Sequence, residues 1–164
     1  MNPLFYISAV IAVLSTILVI TRRNAVHALL YLIVSLLAVA LIFFSLGAPF
    51  VAALEVIIYA GAIMVLFVFV IMMLNLGSEA AKQESLWLSR GTWIGPSILI
   101  AVLALELIYV FTTDRARLYS ASLVGPKQVG IALLGPYVLG VELASMLLLA
   151  GLIGAYHLGR PHKH

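Results

Sequence analysis

The chain has 164 residues, of which 65% are hydrophobic and only 9% are charged, and its formal net charge is +3. A soluble domain holds about 45–50% apolar and about 25% charged residues, so this composition excludes an ordinary soluble protein and indicates an integral membrane protein. The sequence contains no cysteine, which excludes disulfides, thiolate metal sites and cysteine-ligated iron–sulfur clusters within this sequence.

Five apolar segments follow one another along the chain. Each is close to the ~20 residues that cross ~30 Å of hydrocarbon at ~1.5 Å per residue. Because unpaired backbone groups are costly in lipid, we expect five transmembrane helices in a single membrane domain over residues 1–164. The predicted spans cover residues 3–20, 26–46, 51–75, 94–112 and 131–157. A tight turn is predicted at Gly47–Phe50, and Gly135-Pro136 interrupts the fifth apolar segment.

The basic residues lie at the ends of the spans and predict the orientation. Six fall on one side and three on the other: Arg22, Arg23, Lys82, Arg90, Arg160 and Lys163 against Arg115, Arg117 and Lys127. The positive-inside rule places the first set in the cytoplasm, so the N-terminus is predicted to be periplasmic and the C-terminus cytoplasmic. The positive charge therefore reflects topology and not nucleic-acid binding. We expect residues 77–93 to form a solvated loop, with a short surface helix as the alternative, and residues 113–128 to be irregular.

Three acids lie inside the predicted spans: Glu55, Glu106 and Glu142. An ionisable group in the bilayer costs roughly 2.5–3.5 kcal/mol on insertion scales, so each requires an explanation. No Lys or Arg lies within the spans, so each acid is protonated, hydrated or paired with a group of another chain. For Glu106 we expect a neutral acid with a local hydrogen bond. For Glu55 and Glu142, structural and proton-handling roles both remain open.

The third span carries a polar stripe at its start. Glu55, Tyr59 and Ala62 are spaced i, i+4, i+7 and therefore share one face of an α-helix. A carboxyl and a phenol on one face can share a hydrogen bond or a water chain. Tyrosines in membrane spans also serve as packing residues, so this pattern alone does not assign a function.

Small residues follow within the same span. Glycine at position 61 lowers the stability of the helix by about 1 kcal/mol relative to alanine in a helix interior. This small-residue turn either allows a neighbouring helix to approach closely or lets the helix change its winding. Loss of one π-type turn would rotate the segment that contains Val65 by about 100°. The spacing alone favours packing.

The last apolar segment contains pairs of small residues four positions apart, which indicate tight packing against a helix of this chain or of another. The pairs are Gly140/Ala144, Ala150/Gly154 and Gly151/Ala155. His27 and His157 lie near the predicted cytoplasmic ends of two spans, where they are interfacial polar residues or, less simply, ligands of a haem iron. No zinc, P-loop or dinucleotide-binding signature is present.

Three stretches carry a resemblance to a known family: "NAVHALLYLIVSLL", "ALEVIIYAGAIMVLFVFVIMMLNLG" and "GPYVLGVELASMLLLAGLIGAYHLGR". They resemble subunit J of bacterial respiratory complex I, the proton-pumping NADH:quinone oxidoreductase, and its mitochondrial counterpart, ND subunit 6. The resemblance implies five transmembrane helices, with a π-bulge around Tyr59–Val65 in the third. It thus reverses the preference for simple packing.

The resemblance also implies the assembly and the cofactors. The chain would be a non-redox membrane subunit of a translocase in the bacterial inner membrane, beside subunits A, H, K and N. It would bind no cofactor or metal itself, since NADH, FMN, the iron–sulfur clusters and quinone would be bound by other subunits. Proton-path or gating residues would be Glu55, Tyr59, Gly61, Val65 and Glu142, with no catalytic residue.

The alternative from another class is a subunit of a related cation/proton antiporter complex. A further alternative is an assembly subunit without a gating role. Co-purified partners would distinguish the first alternative, and the effect of substitutions on assembly would distinguish the second.

Overall fold

The computed structural model describes residues 3–22, 25–74, 94–112 and 123–159, and every regular element in these residues is a helix. In chain order they are α1 (Pro3–Thr21), α2 (Ala25–Ser45), α3 (Pro49–Leu54), a π segment (Glu55–Ile63), α4 (Met64–Leu74), α5 (Ile94–Thr112), α6 (Pro126–Leu134) and α7 (Val138–Gly159). Helices α3 and α4 continue through the π segment, and the three together form the third span. The all-helical prediction and the π-bulge in the third helix are confirmed.

The helices fall into two compact units, residues 1–123 and residues 124–164. The first unit contains α1, α2, the third span and α5. The second contains α6 and α7. The predicted loop at residues 77–93 lies outside the described residues.

The core of the first unit lies where α1, α2 and α5 meet. Ile11 and Ala12 of α1 pack against Val34 and Ala38 of α2 and Leu103 of α5. Val34 and Ala38 are fully buried. Because lipid is as apolar as these side chains, close packing and interhelical hydrogen bonds hold such helices together.

Hydrogen bonds join α1 to α2 within this core. The hydroxyls of Thr16 and Ser35 lie 2.9 Å apart. Ser35 Oγ also donates to the carbonyl oxygen of Ala12 at 3.2 Å. These bonds satisfy the hydroxyl groups at membrane depth, where unpaired polar groups are costly.

The turn after α2 has the geometry that its glycine predicts. Gly47 has φ 82°, a conformation that a residue without Cβ adopts readily. Its N–H donates to Phe44 O, and the N–H of Ala48 donates to Phe43 O, both at 3.0 Å. This is the Schellman pattern of helix ends. The predicted tight turn is thus confirmed at Gly47 and Ala48, but Pro49 and Phe50 already belong to α3, so the third span starts two residues earlier than predicted.

Helix α5 approaches α2 closely at its start. A Cβ at Gly95 would collide with the hydroxyl of Tyr31, a buried residue of α2. The guanidinium carbon of Arg22 lies 5.5 Å from the centroid of the same ring, within cation–π range. Glycine is therefore the residue that lets the start of α5 lie against Tyr31.

The second unit begins at a helix cap. The Gln128 side chain accepts the N–H of Gly125 at 3.0 Å, at the start of α6. The helix thus begins at Pro126, within the region predicted to be irregular, and that prediction is wrong for residues 126–128. The bond back to Gly125 and the preset φ of Pro126 stabilise this first turn.

The fifth predicted span, residues 131–157, is two helices in the structure. Helix α6 ends at Leu134, and α7 runs from Val138 to Gly159. A Cβ at Gly135 would lie 2.8 Å from the carbonyl oxygen of Ile131, and Pro136 has no N–H with which to continue α6. The long helix therefore starts after the break, as the interruption at Gly135-Pro136 indicated, and not at residue 131.

Within the described residues, four helices are long and apolar enough to cross a membrane: Pro3–Thr21, Ala25–Ser45, Pro49–Met73 and Val138–Gly159. The apolar part of α5, Ile94–Val110, is shorter. The protein is a multi-pass membrane protein. The fifth crossing and the orientation of the termini stay predictions.

Candidate functional site

The centre of the third span is wound as a π-helix from Glu55 to Ile63. At its end, the N–H of Met64 donates to the carbonyl oxygens of Tyr59 and Gly61. The bond to Tyr59 reaches back five residues, where an α-helix would reach back four. The sequence-based resemblance placed the bulge around Tyr59–Val65, and the structure places it slightly earlier, with Tyr59–Ile63 common to both.

Glu55 is the first residue of the π segment, and its side chain is half-buried. Tyr59 is 49% exposed, and Ala62 is also exposed. Within the described part of the chain, no hydrogen bond joins the Glu55 carboxyl to the Tyr59 hydroxyl. A π winding holds more residues in each turn than an α winding, so the i, i+4, i+7 stripe expected for an α-helix does not apply unchanged here.

Gly61 lies in the crowded part of the winding. A Cβ at this position would lie 3.2 Å from the carbonyl oxygen of Val56, five residues earlier. That distance is shorter than an ordinary van der Waals contact, so a side chain would push against the backbone of the π turn. Glycine thus favours this winding in a way that the sequence pattern, which pointed to helix packing, did not reveal.

Two buried side chains show how the third span faces the rest of its unit. Ala52 of α3 and Met64 of α4 are 6% and 2% exposed. They are twelve residues apart, and an α-helix that turns about 100° per residue would point them about 120° apart. One extra residue in the π segment removes about 100° of this difference and leaves about 20°. The π winding therefore lets both side chains face the packed side.

The side chains beyond Met64 point outward. Val65 is 68% exposed, and Phe67 and Phe69 are exposed as well. In this winding Met64 is buried and Val65 is largely exposed. Sequence reasoning missed Met64 because nothing distinguishes it within a run of apolar residues.

Glu142 belongs to the second unit, on the second turn of α7, and its side chain is exposed. Ser145 Oγ donates to the backbone oxygen of Glu142 at 2.7 Å. A Cβ at Gly140, Gly151 or Gly154 would meet no atom within 4 Å. The small-residue positions of α7 thus have room for a close neighbour.

Glu106 is the buried acid of the first unit. It is 6% exposed, and its Oε2 accepts a hydrogen bond of 2.9 Å from Ser8 Oγ. The hydrogen bond predicted for this acid is confirmed, but its partner lies on α1 and is not local. The sequence offered no signal for Ser8, because the contact joins residues nearly a hundred positions apart.

The described residues contain no group of three or more His, Cys, Asp or Glu side chains that could hold a metal ion. His27 lies in the first unit and His157 in the second. The haem alternative therefore gains no support from the structure.

Comparison with known proteins gives the family. Residues 15–158 match the family described as NADH-ubiquinone/plastoquinone oxidoreductase chain 6. The chain is 61% identical over 157 residues to NADH-quinone oxidoreductase subunit J of Pseudomonas aeruginosa, covering 95% of both chains. It is 57% identical over 159 residues to subunit J of Escherichia coli strain K12, covering 97% of this chain and 86% of the relative. Subunit J of Buchnera aphidicola subsp. Schizaphis graminum is 52% identical over 163 residues, covering 99% of this chain and 100% of the relative.

The resemblance seen in the sequence is thus confirmed across nearly the whole chain. Three observations agree: the third span is π-wound, the other helices are apolar, and the relatives are subunits of one enzyme complex. The chain belongs to the NADH-ubiquinone/plastoquinone oxidoreductase chain 6 family, as a subunit J-type membrane protein of respiratory complex I.

Proposed function

We propose that the chain helps to couple quinone reduction to proton translocation, through a change of winding in its third span. The observation that carries this proposal is the π segment between the two buried anchors, Ala52 and Met64. A π-bulge is a rare departure from α-helical winding and occurs frequently at functional sites. The π winding thus makes the third span the part of the first unit that can switch.

The switch exchanges the residue that packs at the end of the π segment. If the extra residue were absorbed into an α-helix, α4 would rotate by about 100°. Ile63 lies eleven residues after Ala52, so in an α-helix the two side chains would point in directions only about 20° apart. Ile63 would then replace Met64 on the packed side. Each winding thus has its own apolar residue on that side, as a two-state element requires.

The residues around the switch supply polar groups and apolar barriers. Glu55 and Tyr59 lie within the π segment, and Val65 lies on the part that rotates. In one winding, side chains near Val65 interrupt an internal water path. In the other, Tyr59, Glu55 and Glu142 help to connect the quinone end to the rest of the membrane arm. A redox step elsewhere biases the two windings and so moves protons.

The proposed setting is the bacterial inner membrane, beside subunits A, H, K and N of the complex, which acts as a translocase. The exposed apolar faces of the third span and the open small-residue positions of α7 support contacts with other membrane chains. NADH, FMN, iron–sulfur clusters and quinone would be bound by other subunits. The absence of cysteine from the chain agrees with this division.

Gly61→Leu and Val65→Gly test the proposal, with Ala62→Leu and Val68→Gly as matched controls on exposed neighbouring positions. The complex would be purified from cells that carry each variant and reconstituted into liposomes. A gate predicts normal assembly and fewer protons moved per NADH oxidised for the first pair, with the controls near wild type. A parallel loss of assembly and activity would show a structural subunit. Full coupling in both test variants would refute the gate.

Glu55→Gln tests the carboxyl separately. The amide keeps the shape of the side chain but removes its exchangeable acid proton, so we expect an assembled complex with weakened pumping. An unchanged number of protons per NADH would reduce Glu55 to a structural residue.

Purification of the wild-type complex also tests the antiporter alternative. That alternative predicts that antiporter subunits co-purify with the chain without NADH-oxidising ones.

A further inference from the structure

Helix α6 is a short helix of the second unit that takes no part in the proposed switch. It has nine residues, Pro126–Leu134, and is therefore about 13 Å long. Helix α7 has 22 residues, Val138–Gly159, and at about 33 Å it crosses ~30 Å of hydrocarbon without α6. One straight helix over both would measure about 51 Å, more than the ~40–45 Å of a bilayer with its headgroups. The position of α6 relative to the membrane therefore needs its own explanation.

Two tyrosines indicate where α7 meets the membrane surfaces. Tyr137 directly precedes α7, and Tyr156 lies in its last turn. Both rings are exposed, and aromatic rings of this kind collect at the two membrane–water interfaces. Their separation of 19 positions corresponds to about 29 Å along a helix, close to the thickness of the hydrocarbon. One interface is thus expected at Tyr137, three residues after α6 ends.

Backbone hydrogen bonds join α6 to this end of α7. The N–H of Tyr137 donates to the carbonyl oxygen of Ala132 at 3.1 Å, and the N–H of Val138 donates to that of Gly135 at 3.2 Å. The last turn of α6 therefore lies close to Tyr137. Whatever surrounds the start of α7 also surrounds the end of α6.

The side chains of α6 change from polar to apolar toward that end. Lys127 and Gln128 occupy its first turn and are exposed. Ile131, Leu133 and Leu134 occupy its second half and are exposed as well. Contact with water would leave three large apolar side chains unburied, whereas the boundary between headgroups and acyl chains accommodates both kinds of residue.

We propose that α6 lies in the membrane interface beside the start of α7 and binds phospholipid there. Ile131, Leu133 and Leu134 enter the acyl boundary. The ammonium group of Lys127 stays at the level of the headgroups, where it pairs with the phosphate of an anionic lipid. This lipid contact belongs to the second unit, so it goes beyond the proposed function and does not depend on a change of winding in the third span.

Photocrosslinking in the intact complex tests what covers the apolar end of α6. p-Benzoylphenylalanine would replace Leu134, Ile131 or, as the control, Gln128 in the first turn, and the complex would be irradiated in native membranes. We expect the first two positions to give phospholipid adducts on the chain, identified by mass spectrometry, at severalfold higher yield than the control. Adducts to another subunit in place of lipid, or equal lipid yields at all three positions, would overturn the proposal.

Lys127→Gln tests the headgroup contact, and Lys127→Arg is the control that keeps the charge. The complex with the crosslinker at Leu134 would be placed in nanodiscs of equal parts phosphatidylcholine and phosphatidylglycerol. We expect phosphatidylglycerol to exceed phosphatidylcholine about fivefold in the adducts, which corresponds to about 1 kcal/mol for one lysine at an anionic surface. Lys127→Arg should keep this preference, and Lys127→Gln should lose it.

Inorganic phosphate, added at constant ionic strength, separates a lipid headgroup from a free anion as the ligand of Lys127. The preference for phosphatidylglycerol should survive this addition, because the lipid is held by its acyl chains as well. Loss of the preference in phosphate, or an equal preference in Lys127→Gln and wild type, would overturn the headgroup contact.

Discussion

The α1–α2 pair and the third span are built from comparably apolar sequence, yet they are held in different ways. Helix α2 buries six residues: Leu29, Tyr31, Val34, Ser35, Ala38 and Ala40. Within the described third span, only Ala52 and Met64 are buried. Helices α1 and α2 are also joined by hydrogen bonds through Ser35. The third span instead contains a π segment in place of a regular helix.

Under the proposed mechanism, this difference lets one membrane unit combine a rigid part with a movable one. Close contacts and the hydrogen bonds of Thr16 and Ser35 hold α1 against α2, so a change of register there would break several interactions together. The third span depends on two anchors at opposite ends of an expanded turn. A change between π and α winding moves one of those anchors and leaves the other in place.

The largest expected effect is that of Met64→Ala. Removing a buried methionine costs about 2–5 kcal/mol, and here the loss falls on the winding that buries Met64. The α winding with Ile63 on the packed side should gain population, and coupling should fall while the complex still assembles. Met72→Ala, at a 66% exposed position of the same helix, is the control. Proton-to-NADH stoichiometry measures the effect, and equal values for both variants would argue against Met64 as an anchor.

Ala38→Leu tests the rigid part of the comparison. Ala38 is fully buried in the core between α1 and α2, and overpacking costs typically about 1–3 kcal/mol. We expect less assembled complex, with activity per assembled complex unchanged, measured by native gel electrophoresis and NADH oxidation. Ala62→Leu adds the same atoms at an exposed position and should assemble normally. Normal assembly of both variants would mean that the α1–α2 pair is not the rigid part.

Gly61→Ala should shift the winding by a smaller amount. Alanine favours a regular α-helix over glycine by about 1 kcal/mol, roughly a fivefold change in population. Its Cβ would also crowd the Val56 carbonyl in the π form. The fraction of particles with a π-wound third span, counted by cryo-electron microscopy, should fall. A fraction equal to or above that of the wild type would contradict the crowding argument.

Tyr59→Phe should have the smallest effect. The variant removes only a hydroxyl from a half-exposed ring, and water can partly replace that group. We expect a modest loss of proton pumping with normal assembly, measured in liposomes. Abolished pumping would give the hydroxyl a larger role than the structure supports.

The sequence predicted the helices well where hydropathy alone determines them. Predicted spans 3–20 and 26–46 agree with Pro3–Thr21 and Ala25–Ser45 to within a residue. The start of the long last helix was misplaced, because an apolar run continues through Gly135-Pro136 while the backbone bonding does not. The sequence marked the interruption at Gly135-Pro136, and the bonding pattern, with Tyr137 N–H donating to Ala132 O, shows that it separates two helices.

The candidate site was less predictable for two physical reasons. Met64 could not be singled out, because its burial depends on a winding that the α-helical period does not contain. The Ser8–Glu106 contact could not be found, because it depends on how α1 packs against α5. The sequence singled out Glu55, Tyr59, Gly61 and Val65 as candidates, but the π geometry and the gating role came from the family resemblance and not from their spacing, and the gating role stays a proposal.

The most direct test of the switch is the density of the third span in the intact complex, with and without a ligand at the quinone site. We predict two windings whose proportions change with the ligand. In the π form Met64 lies on the packed side, and in the α form Ile63 takes its place. One unchanged winding in every state, with Met64 buried throughout, would contradict the account.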